Sequence, residues 1–480
     1  MAEFTDALAA RVNRMLDAFE GGQTIGELDP AKSAIRDLKI EVLDTNGESG
    51  VLPLSEAVLN ATNGVCGRWW DESNSTYRAG GYYGSLDMLR NLPNLLGLGC
   101  YLVTDDRTMR KLDPTNHHRF DDGSPAALDG TQGQYMWCWR THYFTTWMEG
   151  TKTYYAVSFA PIAGKKSYKI PAGGVSALGA GVVDRTTNTL CSLISDDPKY
   201  RGGGNQTDWD GTFKSQLGKV ATAIPYSAFS TYARKRGEGW DANWYVAQAV
   251  TEYLFMIIMG TRNSQEAFIA AKDANGLYQG GLGSGLTNMP NWDVWGYYPL
   301  LPTSVGLSLG DSVGVENFDI LNEAGEVHHV APVPVFFGLK NLYGHIWKMT
   351  SGVVNDVGAE KSVTYVAPSL YAGCTHNTID GLLKAAEMPR LAGYIKRKSY
   401  NLLCAMPTEV GGTASTYFCD NFWENSASSK GLRSRLAGAS ADSGANAGTF
   451  CVNADDAFSH TDATVSSPLC FFREDPVMAL

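Results

Sequence analysis

Two short stretches combine carboxylates with tryptophan, residue types found in sites that act on sugars. Asp208 and Asp210 flank Trp209, and Asp241 follows Trp240. A glycoside hydrolase needs two carboxyl groups that face one sugar. Acids beside aromatic rings also occur in sugar sites without activity and in solvated turns. Hydrolysis of a glycan is therefore kept as an alternative function.

Patterns for other chemistries are incomplete. Residues 208–211 resemble the start of a calcium loop but lack the glutamate spacing of an EF-hand, so we expect a surface turn. His117 and His118 are adjacent, as are His328 and His329. Neighbours on a strand point to opposite faces, which makes a poor metal site. We expect no catalytic residue, no metal ligand and no cofactor.

Charge and composition exclude several functional classes. The net charge is −11 and no basic run is longer than three residues, as at 396–398, so binding of nucleic acid is not expected. The first six residues lack the basic and apolar regions of a signal peptide, and the most apolar stretch, 254–259, is too short to span a bilayer. The nine cysteines include no CxxC pair. This favours synthesis in a reducing cytoplasm over a zinc ribbon or a disulfide framework.

Apolar spacing predicts helices at two places. Residues 4–20 carry a stripe that ends at a glycine pair and that either pairs copies of the chain into a coil or packs on its own domain. Residues 222–235 and 244–259 flank a glycine-containing loop. The second of these places its apolar side chains on one core-facing stripe. The members of that stripe are Val246, Val250, Leu254 and Ile257.

The rest of the sequence is typical of short strands and turns. Residues 40–43 form a strand pattern before an Asn46-Gly47 turn, and residues 80–175 alternate strand patterns with glycine turns. Residues 98–103 and the aromatic run 134–139 are the clearest of these strands. One helical stretch amid irregular β structure predicts an α+β fold rather than a Rossmann or TIM arrangement.

Several motifs occur in an order that resembles a known family. Residues 338–348 (GLKNLYGHIWK) are similar to the signature sequence of this family, which has asparagine where His345 stands. Residues 260–265 and 122–161 resemble segments of phage tail-fibre proteins. Residues 431–448 resemble the start of a variable repeat in targets of diversity-generating retroelements, and 467–472 resemble the strand that ends it. The chain thus resembles phage tail-fibre and retroelement variable proteins with a C-type-lectin-like domain of the formylglycine-generating-enzyme type.

The resemblance implies a domain organisation. A chain of 480 residues favours two or three structural units. We expect an N-terminal helix and attachment segment at 1–55, a β-rich domain at 56–175 and the lectin-like domain at 176–480. The variable region would span residues 431–472. Residues 1–55 carry no resemblance.

Between residues 438 and 467 of the expected variable region most side chains are short and polar, and apolar residues recur at Phe450, Val452, Val465 and Leu469. That pattern is typical of buried strand residues that hold an outward-facing surface, although an ordinary polar loop gives the same composition. The predicted ligand-binding residues are those of the types that retroelement variation favours. They are Asp442, Ser443, Asn446, Asn453, Asp455, Asp456, Ser459, His460, Asp462 and Thr464.

The enzyme of this fold family oxidises cysteine with a pair of copper-binding cysteines. The resemblance aligns those two positions with Ala441 and Asn446, neither of which has a thiol. We therefore expect a binding protein without activity: a homotrimeric receptor-binding protein of a phage tail fibre, part of the virion and attached through its N-terminus to other tail proteins. A cellular lectin-like binding protein is the alternative, before the glycan-degrading enzyme.

Overall fold

The computed structural model describes residues 39–43, 49–53, 64–268, 301–424 and 430–476. The helix predicted at 4–20 and the Asn46-Gly47 turn lie outside them. About 39% of the structure is strand and about 14% is helix, a β-rich composition that is compatible with the α+β class expected from the sequence. No helix among the described residues combines the length and apolar character needed to cross a membrane.

The strands and helices have the following bounds, in chain order. The strands are β1 (Lys39–Leu43), β2 (Ser49–Pro53), β3 (Val65–Asp71), β4 (Gly81–Gly84), β5 (Gly99–Val103), β6 (Met109–Asp113), β7 (Asn116–Phe120), β8 (Gln134–Trp139), β9 (His142–Glu149), β10 (Lys152–Ser158), β11 (Ser167–Ile170), β12 (Gly173–Ser176), β13 (Val182–Asp184), β14 (Thr189–Cys191), β15 (Trp240–Ala242), β16 (Gly314–Leu321), β17 (Val327–Phe336), β18 (Leu339–Lys340), β19 (Trp347–Val357), β20 (Ser362–Val366), β21 (Leu383–Glu387), β22 (Gly393–Ser399), β23 (Met406–Val410), β24 (Asn421–Trp423), β25 (Gly431–Ala437), β26 (Val452–Asn453), β27 (Val465–Ser466) and β28 (Leu469–Phe472). The helices are α1 (Leu86–Leu95), α2 (Tyr226–Arg234), α3 (Tyr245–Met259) and α4 (Ser264–Phe268).

Three large sheets form the framework. The first has the order β11-β9-β10-β3-β4, and the second has the order β15-β28-β12-β8-β5-β6-β7. The third has the order β21-β20-β19-β25-β26-β24-β22-β23, with β27 beside β19. Neighbouring strands are antiparallel except for β24 with β26 and β19 with β27, which are parallel. The strands predicted at 40–43 and 134–139 are β1 and β8.

The second sheet joins distant parts of the chain. Strand β28 lies between β15 and β12, and β12 pairs in turn with β8. The boundary expected between residues 175 and 176 therefore lies inside this sheet. One continuous apolar core also extends across it, from Cys66 to Phe472.

Helix α3 lies at the centre of this core. It packs against α1 and against β10, β12 and β19, one strand from each large sheet. The predicted stripe from Val246 to Ile257 is buried, but so are the other faces of the helix up to residue 257. A single core-facing stripe was therefore too narrow a prediction, because sheets surround the helix. Gly260, in the left-handed region at φ 68°, ends the helix and donates its N–H to Met256 O.

Two helix predictions need correction. Helix α2 begins at Tyr226 rather than at residue 222, because Pro225 precedes it and disfavours helical backbone at the residue before it. Helix α1 lies in a region predicted as strands and turns. Its N-terminus is capped by Ser85, whose Oγ accepts the Met88 N–H at 3.2 Å. Leu89 and Leu92 form its buried face, and Pro93 near its end hid the helical pattern.

Candidate functional site

The terminal segment, residues 431–472, contains runs of buried residues separated by two stretches, 442–446 and 453–464, that are mostly exposed or partly exposed. Phe450, Val452, Val465 and Leu469 are each at most 2% exposed. The prediction that apolar residues hold this segment to the core is therefore confirmed.

None of the ten predicted ligand-binding residues is buried. Three are exposed: Asp442, Ser459 and His460. Seven are partly exposed: Ser443, Asn446, Asn453, Asp455, Asp456, Asp462 and Thr464. The polar composition thus located side chains that solvent can reach, although their hydrogen bonds divide them between two places.

Asp442, Ser443 and Asn446 belong to a turn that follows β25. The Ser440 hydroxyl donates to the Asp442 carboxylate, and the Asn446 N–H donates to Ser443 O at 3.0 Å. The turn is attached to helix α4, because the Gln265 amide donates to Gly444 O at 3.3 Å. Local bonds therefore fix the backbone of the turn while its side chains remain at the surface.

The other group lies in the terminal loop, residues 453–464, which covers the N-terminus of helix α2. The first N–H groups of a helix have no partner within the helix, and Pro225 offers no side-chain acceptor there. Carbonyl groups of the loop supply the acceptors. Tyr226 N–H donates to His460 O at 3.2 Å and Ser227 N–H donates to Phe458 O at 3.1 Å. The backbone of the loop, rather than its side chains, thus caps the helix.

Side chains of the terminal loop form a second set of contacts. The Tyr226 and His460 rings meet edge to face with centroids 5.6 Å apart. The Phe458 ring stacks on His376 at 4.7 Å. Asp462 Oδ1 accepts from both the N–H and the hydroxyl of Thr464, each at 2.7 Å. These contacts orient the acids and the imidazole without burying them.

The terminal loop is acidic. Burial raises the pKa of Asp456 above its ordinary value and the neighbouring Asp462 raises it further, whereas His460 and Arg433 lower it. Burial also raises the pKa of Tyr226, with Asp456 and Asp462 adding to the effect. Carboxylates and an imidazole at one surface can accept hydrogen bonds from hydroxyl or cationic groups.

Beneath the terminal loop lies the anchor network of Glu252, Lys398, Tyr400 and Arg435. Glu252 on α3 accepts from Lys398 Nζ at 2.5 Å and from Arg435 Nη2 at 3.1 Å, and all three side chains are at most 1% exposed. Lys398 Nζ also donates to Phe450 O at 3.0 Å. Burial lowers the pKa of Lys398 and the nearby Glu252 raises it. Arg435 therefore fixes β25, the first strand of the terminal segment, to the central helix.

The acids considered for hydrolysis are held by different partners. Asp210 Oδ1 accepts from Arg201 Nε at 2.9 Å, which lowers the pKa of Asp210. Asp241 is fully buried beside Arg234, and burial raises its pKa. Asp208 is exposed. A buried Asp241 cannot contact a sugar, so this set does not make the pair of facing carboxylates that hydrolysis requires.

Sequence reasoning missed a polar cleft of about 420 Å³ near the C-terminal end of helix α2. Arg236 forms one wall, where Nη1 donates to Asp105 at 2.7 Å and Nη2 lies 2.9 Å from Cys191 Sγ. None of the ten predicted residues lines the cleft. Its other polar lining includes Thr131, Gln132, Asp184, Thr189 and Tyr200. These residues are spread over about a hundred positions, so no local motif announces them.

The prediction that the two side chains of the first histidine pair point to opposite faces of a strand is confirmed. His117 is buried and His118 is exposed on β7. Inside the protein, His117 lies beside Cys100 and Asp311. Among the described residues, these three form the one group whose side chains could hold a metal ion.

Comparison with known proteins adds no relative to this geometry. A scan against models of protein families finds no match to this chain, and no curated protein matches its sequence.

Proposed function

We propose that this chain is a receptor-binding protein of a phage tail fibre that holds a ligand on the host surface against its terminal loop. The observation that carries the proposal is the contrast within the terminal segment. All ten predicted contact residues are exposed or partly exposed, while the apolar residues between them are buried. Exposed substitutions cost little stability, so such a surface can change its ligand while the fold remains.

We further propose that residues 176–480 have the C-type-lectin-like fold of the formylglycine-generating-enzyme type. Two of the segments that carry the resemblance lie side by side in support of this. Strand β19 pairs with β25 in the register Lys348↔Ala437, and Gly344 N–H donates to Gly438 O at 2.7 Å. His345, which replaces the usual asparagine, is buried beside Ser440. An experimental structure with a different strand order in residues 338–472 would refute the assignment.

The chemistry of the terminal loop indicates the class of ligand. Asp456 and Asp462 lie near Tyr226, and the His460 ring meets the edge of the Tyr226 ring, so the exposed surface of the loop is acidic. Such a surface suits a ligand with several hydroxyl groups or with cationic groups. A polysaccharide or a basic protein loop of the host surface would meet it, and a strongly anionic ligand would not.

Binding is tested with labelled full-length chain on a panel of bacterial strains by flow cytometry. Replacing Asp455, Asp456 and His460 together by alanine is expected to abolish binding to a strain that the wild type binds, while the melting temperature changes little. The matched control replaces two exposed acids and an exposed histidine elsewhere, Asp380, Glu360 and His118. Equal binding by the triple variant and the wild type would refute the role of the loop.

Diversification of the terminal segment is tested by sequencing the DNA that flanks the gene. A near-copy of the codons for residues 430–472 beside a reverse-transcriptase gene is expected. Without such a copy, the retroelement part of the proposal is wrong, while ligand binding by the loop is unaffected.

The proposed trimer is tested by light scattering of the full-length chain, because several copies on one virion would raise a modest affinity through avidity. A stable monomer at micromolar concentration would contradict it.

Incubation with host polysaccharide followed by a reducing-end assay tests the hydrolase alternative, for which no release of ends is expected.

A further inference from the structure

Three side chains with metal-binding atoms converge from distant parts of the chain. Cys100 lies on β5, His117 lies on β7, and Asp311 follows a 3-10 turn at Leu307–Leu309. One ligand atom from each, sulfur, nitrogen and oxygen, lies within 4.8 Å of the other two. Cys100 and His117 are at most 1% exposed, and the Asp311 side chain is 8% exposed. The group is thus enclosed within the protein.

The imidazole is oriented as a metal ligand would need to be. His117 Nδ1 lies 2.6 Å from the Tyr135 hydroxyl, while Nε2 faces Asp311 Oδ1 at 3.0 Å. With Nε2 as the ligand, Nδ1 carries the proton and donates it to Tyr135. A second hydrogen bond of this kind fixes the tautomer and the ring direction of metal-bound histidines.

One atom of the group lacks a partner. Asp311 Oδ1 accepts from the Cys100 N–H at 2.9 Å, but Oδ2 is buried without a hydrogen bond from any described residue. A buried carboxylate oxygen without a partner costs free energy, which a cation would recover. The unpartnered oxygen is therefore a second observation, independent of the residue types, that indicates a ligand.

Glycines keep the surroundings of the group open. A Cβ at Gly338 would lie 2.6 Å from Cys100 Sγ and 2.7 Å from Asp311 Oδ1, and one at Gly99 would lie 2.2 Å from Asp311 Oδ2. Both glycines have φ in the positive region, at 89° and 145°. The Gly338 carbonyl oxygen lies 3.5 Å from Cys100 Sγ and is a further oxygen donor beside the group. Any side chain at these two positions would displace the three groups.

We propose that Cys100, His117 and Asp311 bind a structural zinc ion through Sγ, Nε2 and a carboxylate oxygen, with the Gly338 carbonyl or a water as fourth ligand. Mixed sulfur, nitrogen and oxygen donors suit zinc, whereas calcium and magnesium require oxygen donors. On binding, the Cys100 thiol loses its proton to solvent, and the imidazole proton moves from Nε2 to Nδ1 by exchange with solvent. The Nε2–Asp311 hydrogen bond is replaced by one bond from each group to the metal.

The ion would join parts of the molecule that the sheets leave separate. It would connect strands β5 and β7 of the second sheet to the segment before β16 and to the turn before β18. The competing arrangement is a metal-free network in which the Lys340 ammonium, 4.5 Å from the Tyr135 ring centroid, balances the Asp311 carboxylate. The two arrangements differ in metal content, which can be measured.

The test uses the full-length chain purified without chelators. Inductively coupled plasma mass spectrometry is expected to find about one zinc ion per chain, and replacement of zinc by Co²⁺ to give the near-ultraviolet charge-transfer band of a thiolate ligand. Cys100→Ser and Asp311→Asn should lose the ion, and Cys100→Ser the band. The matched control Cys66→Ser changes an equally buried cysteine in another sheet and should retain both.

A wild-type chain that holds no zinc and gives no cobalt–thiolate band would overturn the proposal and support the Lys340 network. The wild-type measurement decides the question even if a variant fails to fold. A Cys100→Ser variant that keeps one zinc per chain would likewise overturn it. Host binding does not enter either measurement, so the result is independent of the proposed function.

Discussion

The terminal segment takes part in two charged regions that are built in opposite ways. In the anchor network, Glu252 is fully buried and satisfied by Lys398 and Arg435 at fixed distances. In the terminal loop, Asp456, His460 and Asp462 keep solvent contact, and the backbone makes the bonds that attach the loop to helix α2. Position is thus held by buried side chains in the first region and by carbonyl groups in the second. A loop attached through its backbone is free to vary its side chains.

The strongest test of this comparison replaces Glu252 by glutamine. Two cations would remain buried without their shared anion, so we expect the free energy of unfolding to fall by about 3–5 kcal/mol. Urea denaturation followed by tryptophan fluorescence measures the change. The control Glu360→Gln, at an exposed site, should stay within about 0.5 kcal/mol of the wild type. A loss of less than about 1 kcal/mol for Glu252→Gln, the value for an exposed ion pair, would contradict the role of the network.

Two phenylalanines compare the core and the loop directly. Phe450 is fully buried and meets the rings of Phe255 and Phe418, so Phe450→Ala should cost about 3–5 kcal/mol. Phe458 is 9% exposed and stacks on His376, so Phe458→Ala should cost less, on the order of 2 kcal/mol. Denaturation curves of the two variants measure both values. Equal losses would mean that the terminal loop is as integral to the core as the strands are.

A smaller effect is expected at Asp462, whose side chain organises the end of the loop. Asp462→Ala removes the acceptor of two hydrogen bonds from Thr464 and should cost about 1 kcal/mol. Asp462→Asn keeps an acceptor oxygen and should cost less. Thermal unfolding of the two variants separates the hydrogen bonds from the charge, and identical losses would show that the charge is what matters.

The smallest effect is a change in pH dependence at Asp456. Burial raises its pKa above the ordinary 3.8, so the folded state holds this proton more tightly than the unfolded state. Its contribution to stability is complete below pH 3.8 and is lost as the pH rises through the folded-state pKa. Asp456→Asn removes the titrating carboxyl group, and with it this loss of stability at higher pH. The variant should therefore gain in melting temperature relative to the wild type between pH 3.8 and neutral, and a constant difference would contradict the shift.

Local sequence patterns predicted elements well where one physical signal dominated. The aromatic run at 134–139 is a strand because alternate bulky residues pack on both faces of a buried sheet. Helix α3 ends at Gly260, whose backbone adopts the left-handed conformation that favours glycine. Helix α1 was not predicted because Pro93 reads as a helix breaker, whereas the helix carries it in its last turn at the loss of one N–H to carbonyl hydrogen bond.

The candidate sites show the same difference between features set by local sequence and features set by contacts between distant residues. Short polar side chains between apolar ones predicted which residues of the terminal segment reach solvent. The contact between the loop and helix α2 could not be predicted, because it joins backbone groups of Tyr226 and His460, which carry no residue-specific signal. Cys100 and Asp311 are 211 positions apart, and only the sheet and the 3-10 turn bring them together.

The position of β28 between β15 and β12 has a consequence for biosynthesis. Nearly three hundred residues are translated between β12 and β28, a delay on the order of tens of seconds. During this time β12, and β15 once it has been synthesised, each have an edge whose backbone groups await a partner, and such edges recruit strands from other chains. A nascent or truncated chain that stops before residue 469 is therefore a candidate for chaperone capture or aggregation, and only translation through the whole terminal segment closes the sheet.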